Sequence, residues 1–426
     1  MGASTIVVDV ERARLERAPL RPTVARADDP FARRRLVAFL ALGALCVASF
    51  ALFYARGDDV ERIPRELTLV EGTKNELTLV ERARRASGGA VSTPRTIPTT
   101  LSPWWSLRFF VTHKNMPVYE SANADAHEVI VIGHAASWAL GKTWYASLRG
   151  KNVGVKITGL GTSYSGFADK LIGLRAALSA TKGDHLFVFS DTTDVLFLCR
   201  AREIVDRLNA IRGFTFLSSA QPKNWPVVPG SDYFETMTEA NAFKDAQAQK
   251  VHDVGVAGGF ENARRENERK WANSGMFAAR REALERYLEY IENDLVKFGK
   301  KACKPFGMSD ADFVNGAYEH TTNRDPFDDQ LCMNSYLQSR FAAGDEGVFL
   351  DEDGAIFLST GDYASADHFL FPEFSGTTPA VAQDASLVYR RTGARPCAVH
   401  FNGVASHAVL HDVLAIFPAL APEFSR

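Results

Sequence analysis

Cysteine is scarce in this chain, five in 426 residues, and too scattered for a dense disulfide scaffold or the regular ligand spacing of a zinc site. No Asn-x-Ser/Thr triplet occurs, so N-glycosylation neither supports nor excludes passage through a secretory compartment. Net charge is nearly absent, −2 with a pI near 6.6, and the basic residues of the C-terminal three quarters are dispersed. That balance gives no drive toward nucleic acid. The Gly159-Leu160-Gly161 turn matches neither a phosphate loop nor the dinucleotide fingerprint G-x-G-x-x-G. What remains is ordinary globular material, 46% hydrophobic and 23% charged, enough for one large domain or two modest ones.

One long apolar run stands apart. Leu36 to Ala55 is 20 residues without a charge, preceded by Arg33-Arg34-Arg35 and followed by Arg56-Gly57-Asp58-Asp59. This length matches a bilayer core, whereas the apolar region of a signal peptide is shorter and begins nearer the terminus, and an Arg-rich organellar leader lacks a uniform apolar centre. It reads as a single membrane anchor. Upstream lie eight arginines against five acids, so the positive-inside rule places residues 1–35 in the cytosol and the large C-terminal part in a lumen or outside the cell.

Residues 56–125 read as a stem. They are polar and Ser/Thr/Pro/Gly-rich from Asp58 to Pro103, and Glu66-Leu67-Thr68-Leu69-Val70-Glu71 returns as Glu76-Leu77-Thr78-Leu79-Val80-Glu81. Two copies are too few for a solenoid, and the segment fits a spacer. Cys46 falls in the anchor, which leaves Cys199, Cys303, Cys332 and Cys397. Those four permit up to two disulfides, with no pairing readable from their positions.

From about Ala126 strands and helices alternate. Buried strands are expected at Glu128–Gly133, Val153–Ile157, Leu186–Val195 and Phe214–Leu217, with helices between them. This order predicts an α/β fold with a mostly parallel sheet flanked by helices. A helix over Glu282–Lys297 places Leu284, Tyr287, Leu288, Ile291 and Leu295 on one stripe, a core pattern. Pro229 to Lys270 is polar and reads as an irregular insertion, a surface loop or a lid.

Chemistry concentrates at strand ends. Leu186-Phe187-Val188-Phe189-Ser190-Asp191-Thr192-Thr193-Asp194-Val195 is an apolar run ending in two acids three positions apart. Carboxylates at the C-terminal end of a strand sit where open α/β sheets bind ligands, and two hard oxygen donors suit a divalent cation. The competing reading is a strand-to-helix turn in which Asp194 caps a helix. Five further patches accompany it: Gly159 to Tyr164 with Lys170 beyond; Asn224-Trp225-Pro226; Trp271-Ala272-Asn273-Ser274-Gly275-Met276-Phe277; Phe327-Asp328-Asp329-Gln330; and Cys397-Ala398-Val399-His400-Phe401-Asn402-Gly403. Taken singly, Trp225 reads as core or as a sugar-stacking surface, the aspartate pair as a helix cap, and His400 as structural. Together with the two strand-end aspartates, His400 makes a set suited to Mn²⁺ or a similar ion.

The series FSDTTDV, NWP, WANSGMF, FDDQL and VHFNG resembles the glycosyltransferase domain of the procollagen lysyl hydroxylase and procollagen galactosyltransferase group, from roughly Glu128 to Gly403. The resemblance implies a GT-A-like domain over residues 126–426, with Asp191, Asp194 and His400 as Mn²⁺ ligands and a UDP-sugar as donor. It sets Tyr164 against uracil, Lys170, Asp191 and Asn273 in contact with the nucleotide, and Trp225, Asp328 and Asp329 in the sugar and acceptor pocket. The sequence departs from the pattern in a shorter turn before Lys170, in two acids where the family has a longer run, and in NSGM for NSGG.

The activity this implies is transfer of a hexose, galactose or glucose, from the UDP-sugar to a hydroxyl on a protein or glycan. The expected location is a Golgi or endoplasmic reticulum membrane, with a lumenal catalytic domain. Neighbouring residues on a helix point about 100° apart, so only one of Asp328 and Asp329 is expected to face the cleft. Two other readings accompany this one: a lumenal nucleotide-sugar-binding module without turnover, and a phosphohydrolase. Phosphohydrolases of the DxD type place their acids two apart, which Asp191 and Asp194 do not match.

Overall fold

The computed structural model describes residues 67–70, 116–164, 166–222, 238–255, 271–298, 303–314, 327–361, 369–370, 387–389, 392–403 and 409–414. The segment 36–55, read as an anchor, lies outside them, as does Trp225. Among the described residues no helix is long and apolar enough to cross a membrane.

The elements run β1 (Leu67–Val70), β2 (Val118–Ser121), β3 (Val129–His134), α1 (Trp138–Leu148), β4 (Gly154–Thr158), α2 (Ala168–Ser179), β5 (Leu186–Asp191), β6 (Val195–Phe197), α3 (Ala201–Ala210) and β7 (Phe216–Gln221). They continue through α4 (Thr238–Gly255), β8 (Trp271–Arg280), α5 (Arg281–Phe298), α6 (Asp310–Val314), α7 (Asp329–Ala342), β9 (Val348–Asp351), β10 (Phe357–Ser359), β11 (Phe369–Leu370), β12 (Val388–Tyr389) and β13 (Ala398–His400). One sheet runs β1-β2-β4-β3-β5-β8-β7-β10-β13-β6, with β9 beside β7, and β11 pairs separately with β12.

Strands β4, β3 and β5 pair in parallel and are buried on both faces, which explains their continuous rather than alternating apolar sequence. Val129, Val131, Leu186 and Val188 point to one core with Leu148 of α1 and Ile204 of α3. Ile130, Ile132, Phe187 and Phe189 point to the other, with Leu174 of α2, Tyr287 of α5 and Tyr336 of α7. The stripe expected on Glu282–Lys297 is part of this second core.

The expected α/β fold, a sheet flanked by helices, is present with antiparallel strands among the parallel ones, and two other expectations need correction. β8 runs antiparallel between β5 and β7, and β2 antiparallel to β4. The sequence concealed β8 because its middle, Asn273-Ser274-Gly275, carries no β-forming signal. The insertion read as irregular contains α4, whose buried Gln247 donates to the carbonyls of Glu346 and Val348 while Lys244 pairs with Glu352 at 2.6 Å. Its buried side chains include Lys244 and Gln247 beside Ala248 and Val251, so no clean hydrophobic stripe announces it. Two stretches of the expected stem also join the sheet as β1 and β2, in register Leu67 to Ser121 through Val70 to Val118.

Topology brings the strand ends together. β5 and β6 lie five strand spacings apart in the sheet order, about 24 Å if the sheet were flat. Only Thr192, Thr193 and Asp194 connect them, a reach of about 14 Å at full extension. The sheet must therefore curl, and its closing edge carries β13 and β6 back to the end of β5. The free edge of β6 and its end are covered by α1 and the turn after it: Ser147 Oγ accepts the Phe197 N–H at 3.1 Å, and the Lys151 ammonium donates to the Leu198 carbonyl at 2.6 Å. Disulfides join Cys199 to Cys397 and Cys303 to Cys332.

Candidate active site and metal centre

The DTTD turn joins two strands, so Asp194 caps no helix. Its shape is fixed from beneath. The Thr192 hydroxyl donates to the His134 carbonyl at 2.7 Å, and the buried Trp144 indole donates to Ser190 Oγ at 2.6 Å. Gly133 is required there, because a Cβ at that position would come within 2.5 Å of Thr192 Cγ2 and 2.8 Å of the Trp144 ring.

Asp191, Asp194 and His400 converge, each offering a ligand atom within 4.8 Å of the others. His400 Nε2 lies 3.3 Å from Asp194 Oδ1 and 3.7 Å from Asp191 Oδ2. The other ring nitrogen is committed elsewhere: Nδ1 is 2.8 Å from Asn273 Oδ1. That atom must be the amide oxygen, because the Gly275 N–H, which can only donate, points to it at 3.0 Å. The Asn273 amino group donates in turn to Gln221 Oε1 at 2.8 Å and Gln330 Oε1 at 3.3 Å, and Asn402 Nδ2 reaches the same Gln221 oxygen at 3.1 Å. Nδ1 therefore carries a proton, and Nε2 is the nitrogen aimed at the carboxylates. This is how metal-ligating histidines are oriented from outside the ligand shell. Burial works against charge on the ring, but Asp194 and then Asp191 outweigh it and hold the imidazolium above the usual histidine range, so a cation would have to displace a proton. Two carboxylates and one aimed imidazole are a donor set that could hold a divalent cation.

A bulge in β8 makes room. Opposite β7 the register jumps between Ser218, paired with Phe277, and Ser219, paired with Asn273, leaving Ser274, Gly275 and Met276 unpaired on that side. Ser219 Oγ donates to the Met276 carbonyl at 2.9 Å and Ser218 Oγ to the Asn273 carbonyl at 3.2 Å, satisfying groups the bulge frees. Met276 turns into the core rather than the cleft.

No family model and no curated protein matches the chain.

On the other side of Asp191, Lys170 from α2 places Nζ 2.6 Å from Oδ1 and 3.4 Å from Asp329 Oδ2. Burial opposes its charge, but Asp191 and Asp329 outweigh that and hold the ammonium above the usual lysine range. Burial pushes Asp329 up to about 6 despite the attraction of Lys170, with Asp328 and Asp191 adding to the rise and a hydrogen bond from Ser274 opposing it. Asp328 plays a different part as the N-cap of α7, accepting the Leu331 N–H at 2.9 Å. Tyr164 stands at the mouth, 49% exposed, its ring 6.0 Å from that of His134.

Of the residues singled out from sequence, Asp191, Asp194, His400, Lys170 and Asp329 form one continuous constellation. Asn273 sits behind His400, and Asp328 anchors the helix that carries Asp329. Gln221 went unread, and Gln330 and Asn402 received no role of their own, because an amide side chain at a strand end or in a first helical turn carries no signal of its own. A second group of potential ligands, Cys199, Glu203 and Cys397, offers no thiolates, since its cysteines form a disulfide.

Proposed function

We propose that the chain is a metal-dependent glycosyltransferase with a GT-A-like domain, moving a hexose from a UDP-sugar to a hydroxyl group of a protein or glycan. The observation that carries this reading is the run of charge where a curled sheet edge meets α2 and α7: two carboxylates and an aimed imidazole, then the ammonium of Lys170, then the buried carboxyl group of Asp329.

Asp191, Asp194 and His400 would hold a divalent cation such as Mn²⁺, which when bound neutralises charge on the diphosphate of the leaving nucleotide. Lys170 supplies a fixed positive charge next to the same position and donates hydrogen bonds to phosphate oxygens, stabilising charge as it develops on departing UDP. Tyr164 presents an exposed ring to the base. Asp329, with its carboxyl group raised toward neutrality, accepts a hydrogen bond or a proton from a sugar or acceptor hydroxyl. Under this reading Trp225 belongs to the sugar and acceptor pocket. Two disulfides fit an oxidising lumen, which supports a type II placement in the Golgi or endoplasmic reticulum membrane through residues 36–55.

The test is UDP release from a panel of UDP-sugars by the fragment from Arg62 onward, with Mn²⁺ or with EDTA, for wild type and Asp191→Ala. The expected result is Mn²⁺-dependent release that the variant loses. Binding of UDP with no transfer to any hydroxyl acceptor would assign a non-catalytic module instead. Absence of both binding and release would remove the nucleotide-sugar reading.

A further inference from the structure

We infer that the Cys199–Cys397 disulfide is a positioning pair for the cation ligands, setting the distance between Asp194 and His400. The inference rests on the metal reading above and concerns how that site is held.

Asp194 and His400 arrive on different strands, and those strands meet in a single short ladder. β6 pairs with β13 through only three residue pairs: Val195 with His400, Leu196 with Val399 and Phe197 with Ala398. At one end of the ladder the Phe401 N–H donates to the Asp194 carbonyl at 2.8 Å, next to the ligand atoms. At the other end the Leu198 N–H donates to the Cys397 carbonyl at 2.8 Å, and the next residue is bonded covalently to Cys397. The crosslink thus lies five positions beyond Asp194 and three before His400 on the same ladder.

Such a ladder is weak by itself. Antiparallel register depends on the number of pairs and on the faces they bury, and a slip of one residue moves a strand by about 3.3 Å. Metal sites tolerate about 0.2 Å in ligand distance. The side chains of β6 and β13 give little added discrimination, because both faces are apolar: Val195, Phe197 and Ala398 enter one core, Leu196 and Val399 another. Ser147 of α1 and Lys151 just beyond it hold β6 and Leu198 but do not tie them to β13. Apart from the ladder itself, the covalent bond does.

The second disulfide provides the comparison. Cys303–Cys332 fastens the chain before α6 to α7 and is not a crosslink to β6 or β13. A crosslink that acts only on stability has no reason to change cation affinity at either place.

The experiment measures Mn²⁺ affinity by electron paramagnetic resonance of free Mn²⁺, with near-ultraviolet circular dichroism as the check on folding. It compares oxidised wild type, Cys199→Ala/Cys397→Ala, Cys303→Ala/Cys332→Ala, and wild type reduced by a water-soluble phosphine and then reoxidised. In the reduction each disulfide gains two electrons and two protons as the phosphine takes oxygen from water. The expected result is a folded Cys199→Ala/Cys397→Ala protein with about 10-fold weaker Mn²⁺ binding or more, the range found when outer-shell support is removed. The Cys303→Ala/Cys332→Ala protein keeps wild-type affinity, and reoxidation restores what reduction takes away. Equal affinity in both double variants and wild type would overturn the inference, as would unfolding of the Cys199→Ala/Cys397→Ala and reduced proteins, which would assign the bond to stability. Absence of Mn²⁺ binding in oxidised wild type would instead remove the metal reading, and this inference with it.

Discussion

His400 and Asn273 meet through Nδ1 and Oδ1 at 2.8 Å, and that single contact determines which ring nitrogen faces Asp191 and Asp194. Asn273→Leu removes the acceptor while keeping similar volume and frees the ring to rotate or to change tautomer. Mn²⁺ affinity is expected to fall about 10- to 100-fold. Titration of free Mn²⁺ on the folded variant checks this, and unchanged affinity would mean that Ser359, 3.5 Å from the same nitrogen, suffices.

Gly275 stands where no side chain fits. A Cβ there would lie 2.1 Å from His400 Cε1 and 2.8 Å from Asp191 Oδ2, both parts of the proposed ligand set. Gly275→Ala should cost about 1–3 kcal/mol of stability through overpacking and displace at least one ligand. Thermal denaturation and Mn²⁺ titration on the same sample separate the two effects; wild-type values in both would show that the imidazole can move aside at no cost.

Lys170→Met keeps the apolar stem and deletes the charge beside Asp191 and Asp329. A hydrogen bond to a charged group is worth about 1.5–3 kcal/mol, so UDP should bind about 10- to 100-fold more weakly. Lys170→Arg keeps the charge but not the compact geometry and should fall between. Isothermal titration with UDP in the presence of Mn²⁺ is the measurement, and full affinity in Lys170→Met would place the diphosphate elsewhere.

Acid stability should depend on His134. Burial lowers this imidazole to about 4 from an ordinary 6.5. As pH falls below 6.5 the unfolded chain takes up the proton while the native ring does not, so stability is intact above 6.5 and declines down to about 4. The loss amounts to about 3 kcal/mol. Buried Asp351, raised to about 6 by burial against three backbone hydrogen bonds, acts in the opposite sense and gains stability as pH falls below that value. The check is therefore a difference: urea denaturation of wild type and His134→Asn at pH 7.5 and 4.5. The gap between the proteins should shift in favour of the variant at the lower pH, and a gap independent of pH would refute the assignment.

What the sequence determined by itself was whatever depends on local pattern and residue type. Continuous apolar runs placed β3, β4 and β5, since strands buried on both faces need no alternation. The helical stripe from Leu284 to Leu295 placed α5. Hard donors after an apolar run marked Asp191 and Asp194, and acids heading a helix marked a cap, the part Asp328 plays. Tertiary structure alone decided the rest. A strand such as β8, interrupted by small polar residues, becomes a strand only through its neighbours, and α4, with Lys244 and Gln247 buried on its inner face, is held by polar anchors that leave no periodic mark. The distance between Asp194 and His400, 206 positions apart in the chain, depends on a sheet that curls because three residues must bridge five strand spacings. The pairing of Cys199 with Cys397 follows from that same closure, because only a ladder between β6 and β13 brings the two sulfurs together.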